Sequence, residues 1–473
     1  MRASLTILLL VICIAALLCG AAKSIPVTAE DITARCAFTV TTNPEKLEKL
    51  YDGSRDTAWT AGESDGQYVQ IELPKGRAAS GIYIMWNCVP EAWALTESAE
   101  LPLWREAGPG DKREFINCYL PLEKDTKFIR IESESFGWTM SIAEIKVFGP
   151  GTLPLDVQVW DSPPERADLM VLAAHPDDEF IYFGGVIPYY AGQLKKHTAV
   201  VYMTSRPLIR KTEALDGLWA TGVREYPVFL PLENKYSSDL QEAEEIWGGL
   251  DNVVETLVRE FRRFKPDVVV THDLDGEYGH GAHKLTALAA QKAVEAAGKA
   301  GEYEKSEDTY GLWQVKKCYL HLYGKNKLKM DWNAKLSTFG GMTALDMAKA
   351  GYDLHVSQHF RERPVIDTGE YDNSAFGLYY SSVGADSVGG DMFENVPPPV
   401  SPTPSPSAAP SAPGKTQPQA QPVAAQSAAP QAPNAKERGM EALIAVVVMM
   451  FAAAGLWVVA NRKTLDSAKH AKK

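Results

Sequence analysis

At 473 residues the chain is long enough for two domains with cores of their own. Its formal net charge of -12, with no basic face in the folded region, excludes nucleic acid as a partner. Cysteine is scarce at six. The four beyond residue 22, Cys36, Cys88, Cys118 and Cys318, lack CxxC spacing, which excludes a zinc site of that kind and leaves their disulfide pairing open.

Residues 1–22 open with Arg2, continue through the apolar run Leu5 to Leu18 and leave through Ala21 and Ala22. That order of basic start, short apolar core and small-residue exit is that of a secretory signal peptide, removed in the mature protein. An uncleaved anchor is the alternative. A lipid-anchored Cys19 fits less well behind the bulky Leu17 and Leu18.

Residues 24–151 read as an all-β domain. Tyr68 to Leu73, Gly81 to Trp86 and Phe128 to Glu132 alternate with the period of two expected of half-buried strands, between turns of Gly, Pro and charged residues. Short strands at such spacing predict a sandwich. Leu50-Tyr51-Asp52-Gly53, Asp56-Thr57-Ala58-Trp59-Thr60 and the closing Ile142 to Gly149 make the segment resemble a discoidin or coagulation-factor C-type domain. The resemblance implies a jelly-roll sandwich, often sugar-binding through loops at one end. Trp93, Trp104 and Trp138 are candidates to stack on sugar rings, with a place in the core as the alternative for each. Asp52 and Asp56 read as turn residues or as calcium ligands that brace a loop.

Residues 161–396 alternate strand and helix. Leu169–Ala173, Thr198–Met203, Val228–Leu230, Val268–Thr271 and Cys318–Leu322 are apolar strand candidates, and Leu240–Phe264 and His283–Ala297 are helix-like. This predicts an α/β, Rossmann-like, mainly parallel sheet with helices on both faces. The first strand runs straight into Ala174-His175-Pro176-Asp177-Asp178-Glu179, one histidine and three carboxylates at a strand end, where parallel sheets keep their active sites. The strand Val268–Thr271 leads in the same way into His272-Asp273-Leu274-Asp275-Gly276-Glu277-Tyr278-Gly279-His280-Gly281-Ala282-His283. His175, Asp178 and one histidine of the second loop supply two imidazoles and a carboxylate and leave a fourth position for water, the pattern of a catalytic zinc site. Asp177 is then the adjacent carboxylate free to take a proton.

The hexapeptide Ala174 to Glu179 and the later Gly279-His280-Gly281-Ala282-His283 resemble the PIG-L/LmbE-like N-acetylglucosaminyl deacetylases over roughly residues 168–358. The resemblance implies that His175, Asp178 and His283 bind zinc and that Asp177 is the general base. It further implies that His280 is a general acid or steadies the oxyanion, and that Arg210 contacts substrate; a surface charge on a helix is the alternative for Arg210. Many members carry Asp before the last ligand histidine, where this chain has Ala282. Asp273, Asp275 and Glu277 are candidates to replace the partner that this Asp would give His280. Other divalent metals suit the same ligands.

Residues 397–436 are almost wholly Pro, Ala, Ser, Gln and Thr, a composition that cannot bury enough apolar surface to order itself and reads as a semi-extended stalk. Residues 442–460 are apolar without a break, the length of a transmembrane helix, and the basic tail 461–473 marks the cytoplasmic side. The expectation is a surface-anchored, single-pass N-deacetylase whose catalytic domain is extracellular and whose substrate is an N-acetylglucosamine-type glycan or glycoconjugate. Two rivals stand beside it. One is an amidohydrolase acting on a non-sugar amide, with specificity set by loops such as Leu232 to Leu250 and Lys325 to Met342. The other is a glycan-binding surface protein with an inactive deacetylase domain. Nothing in the sequence fixes the oligomeric state.

Overall fold

The computed structural model describes residues 27–108, 110–135, 140–359, 364–387 and 390–398. The expected signal peptide at 1–22, most of the expected stalk at 397–436, the apolar segment 442–460, the basic segment 461–473 and Trp138 lie outside the described residues. Among the described residues no helix is long and apolar enough to cross a membrane. Two compact units meet in sequence at Ser162 and Pro163.

The first unit holds two antiparallel sheets. Strands β1 (Ala37–Val40), β3 (Tyr68–Glu72), β8 (Phe128–Ser133), β5 (Trp93–Glu100) and β6 (Leu103–Gly108) form one in that order. β2 (Trp59–Thr60), β9 (Ser141–Phe148), β4 (Gly81–Cys88) and β7 (Asn117–Pro121) form the other. The alternation read from sequence has its physical cause here: Val69, Ile71, Ile129 and Ile131 are buried while their neighbours along the strand are less so. Trp86 of one sheet meets Trp93 of the other edge-on at 4.9 Å between ring centres, so the sheets face one another as a sandwich. The chain continues past Gly151 in this unit, burying Val157 and Trp160.

The tryptophans divide accordingly. Trp59 and Trp93 are core residues whose indole N–H groups donate to Thr42 O and Arg113 O. Trp104 is half-buried, with the Arg130 guanidinium 4.5 Å from its ring centre. Asp52 accepts from Ser54 N–H and Thr57 Oγ1 within its own turn. The four cysteines among the described residues are free, Cys118 and Cys318 buried and Cys88 exposed.

The second unit is built on seven strands in the order β12 (Val228–Leu232), β11 (Thr198–Thr204), β10 (Leu169–Ala173), β13 (Val268–Thr271), β14 (Lys317–His321), β16 (Ala375–Ser381) and β15 (Lys327–Lys329). The first five run parallel; β16 pairs antiparallel with both β14 and β15. Every residue of β10, β11, β13 and β14 is buried, which is why these strands read as mainly apolar runs, with Lys317 and His321 at the ends of β14. From β10 the chain winds outward through β11 and β12 and then returns to β13 on the other side. The crevice between the C-terminal ends of β10 and β13 is therefore the switch point where open α/β sheets bind their ligands.

The helices are α1 (Asp178–Ile181), α2 (Leu208–Ala220), α3 (Leu240–Trp247), α4 (Leu250–Phe264), α5 (Gly281–Ala296), α6 (Glu304–Tyr310) and α7 (Ala344–Tyr352), with a π-helical turn at Pro188–Gln193. The stretch read as one helix from Leu240 to Phe264 is two, because Gly248 and Gly249 adopt φ of +79° and +94° and break it. Leu257, Phe261, Leu285 and Ala289 pack with Met170, Leu172 and Val269 in one apolar cluster. Burial on that scale stabilises by about 1.5–3 kcal/mol per large side chain and fixes α4 and α5 against the strands that end in the crevice.

Candidate metal centre and active site

Three donor atoms meet where β10 and β13 end. His175 Nδ1 lies 3.2 Å from Asp178 Oδ2 and 3.3 Å from His283 Nε2, and the last two are 3.4 Å apart. A tetrahedral zinc ion with bonds of about 2.0–2.1 Å spaces its ligands about 3.3 Å apart. The donors thus match one face of such a tetrahedron, with the fourth corner left for water or substrate. The first loop builds its share locally: His175 N–H donates to Asp178 Oδ2 at 2.8 Å, which turns that carboxylate back toward its own histidine. Burial raises the Asp178 carboxyl, but His283 and His175 outweigh it and hold the group well below the usual carboxylate range. Burial pushes the His175 imidazole down to about 4, so it is the neutral form that metal binding requires.

The second loop supplies a carboxylate hub. Glu277, fully buried, accepts from Nδ1 of His272 at 2.8 Å and of His283 at 2.7 Å through Oε2, and from Nδ1 of His321 at 2.7 Å through Oε1. With its Nδ1 proton on Glu277, His283 presents a bare Nε2 to the donor triangle. His272 accepts the Ala174 N–H at Nε2 and so has both nitrogens engaged. The cluster of His272, Glu277 and His283 is therefore support for the His175, Asp178 and His283 triangle.

Asp177 occupies a backbone conformation, φ +123° and ψ −29°, that non-glycine residues rarely adopt. Its carboxylate accepts from the Arg210 guanidinium at 2.6 Å, and Arg210 also donates to Pro176 O. Burial pushes the Asp177 carboxyl up to about 7 against the pull of Arg210, within the range suited to a proton acceptor near neutral pH. Arg210 is 8% exposed, so it is no surface charge, and the structure gives it to Asp177.

His280 caps α5. Its Nδ1 accepts the Ala282 N–H at 3.1 Å, which leaves the proton on Nε2. Burial, with His283 and His175 beside it, pushes the imidazole down to about 2. It is a neutral hydrogen-bond donor 5.0 Å, ring to ring, from His175. Its position depends on Gly281, whose N–H donates to Ser237 O and where a Cβ would fall 1.9 Å from Asp239 O. The same loop sets Tyr236, 56% exposed, edge-on to His280 at 4.9 Å. Tyr278, Tyr182 and Tyr371 stand nearby.

Residues 170–294 match the PIG-L family model, GlcNAc-PI de-N-acetylase. The chain is 24% identical over 202 residues to the 1D-myo-inositol 2-acetamido-2-deoxy-alpha-D-glucopyranoside deacetylase 2 of Catenulispora acidiphila, an alignment covering 37% of this chain and 66% of that protein. The chain thus spans just under two thirds of the length of that curated relative. Among solved structures it is similar to the N,N'-diacetylchitobiose deacetylase from Pyrococcus horikoshii, at 20% identity and TM-score 0.32, covering 41% of this chain and 72% of that one. A second similarity is to CpGH89CBM32-6 produced by Clostridium perfringens, at 21% identity and TM-score 0.23, covering 26% of this chain and all of the other.

The PIG-L match contains His175, Asp177, Asp178, Arg210, Glu277, His280 and His283. At Ala282 the replacement carboxylate expected for His280 does not take that role: Glu277 turns to His272, His283 and His321, Asp273 is half-buried and Asp275 is exposed. Four residues near the site were not anticipated. His272 stood in the second motif without a role. The buried Glu179 stood in the first motif without a role, and His321 at the end of β14 and His355, the partner of Glu179, carried no signal, because their contacts join positions far apart in sequence.

Proposed function

We propose that the second unit is a metal-dependent N-deacetylase that hydrolyses the acetamide of an N-acetylglucosamine-type glycan or glycoconjugate. The observation that carries this reading is the donor triangle of His175, Asp178 and His283 with the strained Asp177 beside it. The deacetylases among the relatives and the PIG-L match add support. His175, Asp178 and His283 would hold the ion, zinc or another divalent metal. A divalent ion there supplies Lewis acidity to the water and to the acetamide carbonyl. Asp177, held by Arg210, accepts a proton from the attacking water and returns it to the amide nitrogen as the C–N bond breaks, giving a free amine and acetate. The neutral Nε2–H of His280 is suited to donate to the carbonyl oxygen as charge develops there, a contribution on the order of 10²–10³ in rate. Arg210 fixes the base in this reading, and a direct contact with substrate is its further proposed role.

We further propose that the protein is exported and tethered by residues 442–460, with the stalk 397–436 holding the catalytic unit away from the membrane. What supports this is the sequence pattern of both chain ends. The first unit is proposed as a discoidin-like, sugar-binding sandwich, supported by its two facing antiparallel sheets.

The test is acetate release from N-acetylglucosamine and its short oligomers by the purified chain, beside Asp177→Ala, with metal content measured on both. Release that collapses in Asp177→Ala while metal is retained is the expected result. A metal-loaded protein that releases nothing from any N-acetylated sugar would move the reading to another amide.

A further inference from the structure

Asp177 is gripped from two sides, and the grips are joined. Its N–H donates to Glu179 Oε2 at 2.7 Å, and the other oxygen, Oε1, accepts from His355 Nε2 at 3.1 Å. Glu179 and His355 are both fully buried. His355 lies just beyond α7, outside the PIG-L match. Two residues further on, Ser357 donates both N–H and Oγ to the two oxygens of Glu213, each at 2.6 Å. Glu213 sits one turn along α2 from Arg210, whose guanidinium holds the Asp177 carboxylate. A closed ring therefore runs from the Asp177 N–H through Glu179, His355, Ser357, Glu213 and Arg210 back to the Asp177 carboxylate. Gly217 lets it close: a Cβ there would fall 2.9 Å from Gly351 O and 3.4 Å from His355 Nε2.

We infer that Glu179 and His355 are positioning residues, which with the Ser357–Glu213 tie hold Asp177 in its strained conformation so that its carboxylate meets the reacting water. Two observations favour this over simple core filling. A φ of +123° at a non-glycine residue persists only where surrounding contacts over-determine it, and such strain gathers at functional sites. His355 Nδ1, moreover, is buried with no partner among the described residues, a cost that an apolar side chain of similar size would not incur. The histidine is explained by its Nε2 contact with Glu179.

The inference rests on the deacetylase reading, and the test separates the two. Steady-state kinetics on an N-acetylated chitooligosaccharide would be measured for the full chain and for His355→Leu, His355→Gln and Ser357→Ala, with metal content and Tm for each. His355→Leu is expected to lower kcat by about 10–100-fold, as loss of a supporting contact behind a reacting group does, with KM and metal content unchanged. His355→Gln, which restores an N–H toward Glu179, is expected to recover most of that loss. Ser357→Ala, half-buried at the rim of the ring, is expected to lose a few-fold in kcat and decides the matter if His355→Leu does not fold. Unchanged kcat in the folded variants overturns the inference. So does a parallel fall of kcat, KM quality, metal content and Tm, which would mark a merely structural role. A wild-type chain that turns over no N-acetylated sugar overturns the deacetylase reading itself, and this inference with it.

Discussion

The loops that follow β10 and β13 leave neighbouring parallel strands and build one site, yet they hold their side chains in different ways. In the first loop the backbone N–H contacts are local, His175 N–H to Asp178 three residues on and Asp177 N–H to Glu179 two residues on, with Arg210 and His355 reaching in to the side chains of Asp177 and Glu179 from further along the chain. The second loop works through one buried carboxylate that collects imidazoles from five residues before it, six after it and 44 after it. Local contacts fix a side chain with few residues and little room for variation, which suits atoms proposed to ligate a metal and accept a proton. A hub orients several rings at once but makes each depend on all the others. Losses should therefore be steep in the first loop and at the donor His283, and graded at the residues of the second loop that only support His283.

The largest effect is expected at the donor triangle. Asp178→Ala or His283→Ala should abolish metal binding and with it all activity, and chelation of the wild type should do the same until a divalent ion is returned. Metal analysis and acetate release check both; activity that survives chelation would break the metal reading outright. Next comes Asp177→Asn, which keeps size and most hydrogen bonds but cannot take a proton. A loss of about 10²–10⁴ in kcat with metal retained is expected, the usual contribution of a positioned general base.

The second loop should give graded losses. Glu277→Gln leaves three imidazole N–H groups with one amide oxygen in place of a carboxylate, and metal affinity is expected to weaken by about 10–100-fold. Tm should fall as well, because each buried donor left unpaired costs about 1–3 kcal/mol. Competition against a chromophoric chelator measures the first and calorimetry the second. His321→Leu removes one of the three imidazoles, and one that is not a donor to the triangle, so a smaller loss of affinity is expected. An effect of His321→Leu as large as that of Glu277→Gln would mean that β14, not the loop, sets the geometry.

The contrast between the loops also explains what the sequence made legible. The parallel sheet was readable because β10, β11, β13 and β14 are buried on both faces and so carry mainly apolar runs. The first loop was readable because its donor and carboxylate residues, with the backbone contacts that span two or three residues, compress into one hexapeptide. Glu277 was visible as one of three carboxylates that could serve His280, but its partners are His272, His283 and His321, and nothing in the spacing distinguishes those rings. His321 and His355 were invisible, their partners lying 44 and 176 residues away. The antiparallel pairing of β16 with β14 and β15 was missed for a related reason: β15 is three residues long, too short for any period to show. Trp93, readable either as a sugar-stacking platform or as core, is a core residue, and aromatic content alone does not separate the two.

The smallest expected effect is the most discriminating about the hub. Asp275 lies in the same loop as Glu277, carries the same charge, and was an equal candidate to replace the aspartate that the PIG-L resemblance implies at the position of Ala282. It is exposed, so water screens its charge and already satisfies its oxygens. Glu277 is fully buried and has both oxygens committed to imidazoles. Asp275→Asn should therefore leave kcat, KM and metal affinity within about twofold of wild type, the range of an exposed charge acting on a buried centre through solvent. If it instead weakened the metal as Glu277→Gln is expected to do, the ligand histidines would be tuned by the loop's summed charge rather than by one carboxylate in contact with them, and the distinction between a local loop and a hub would have to be given up.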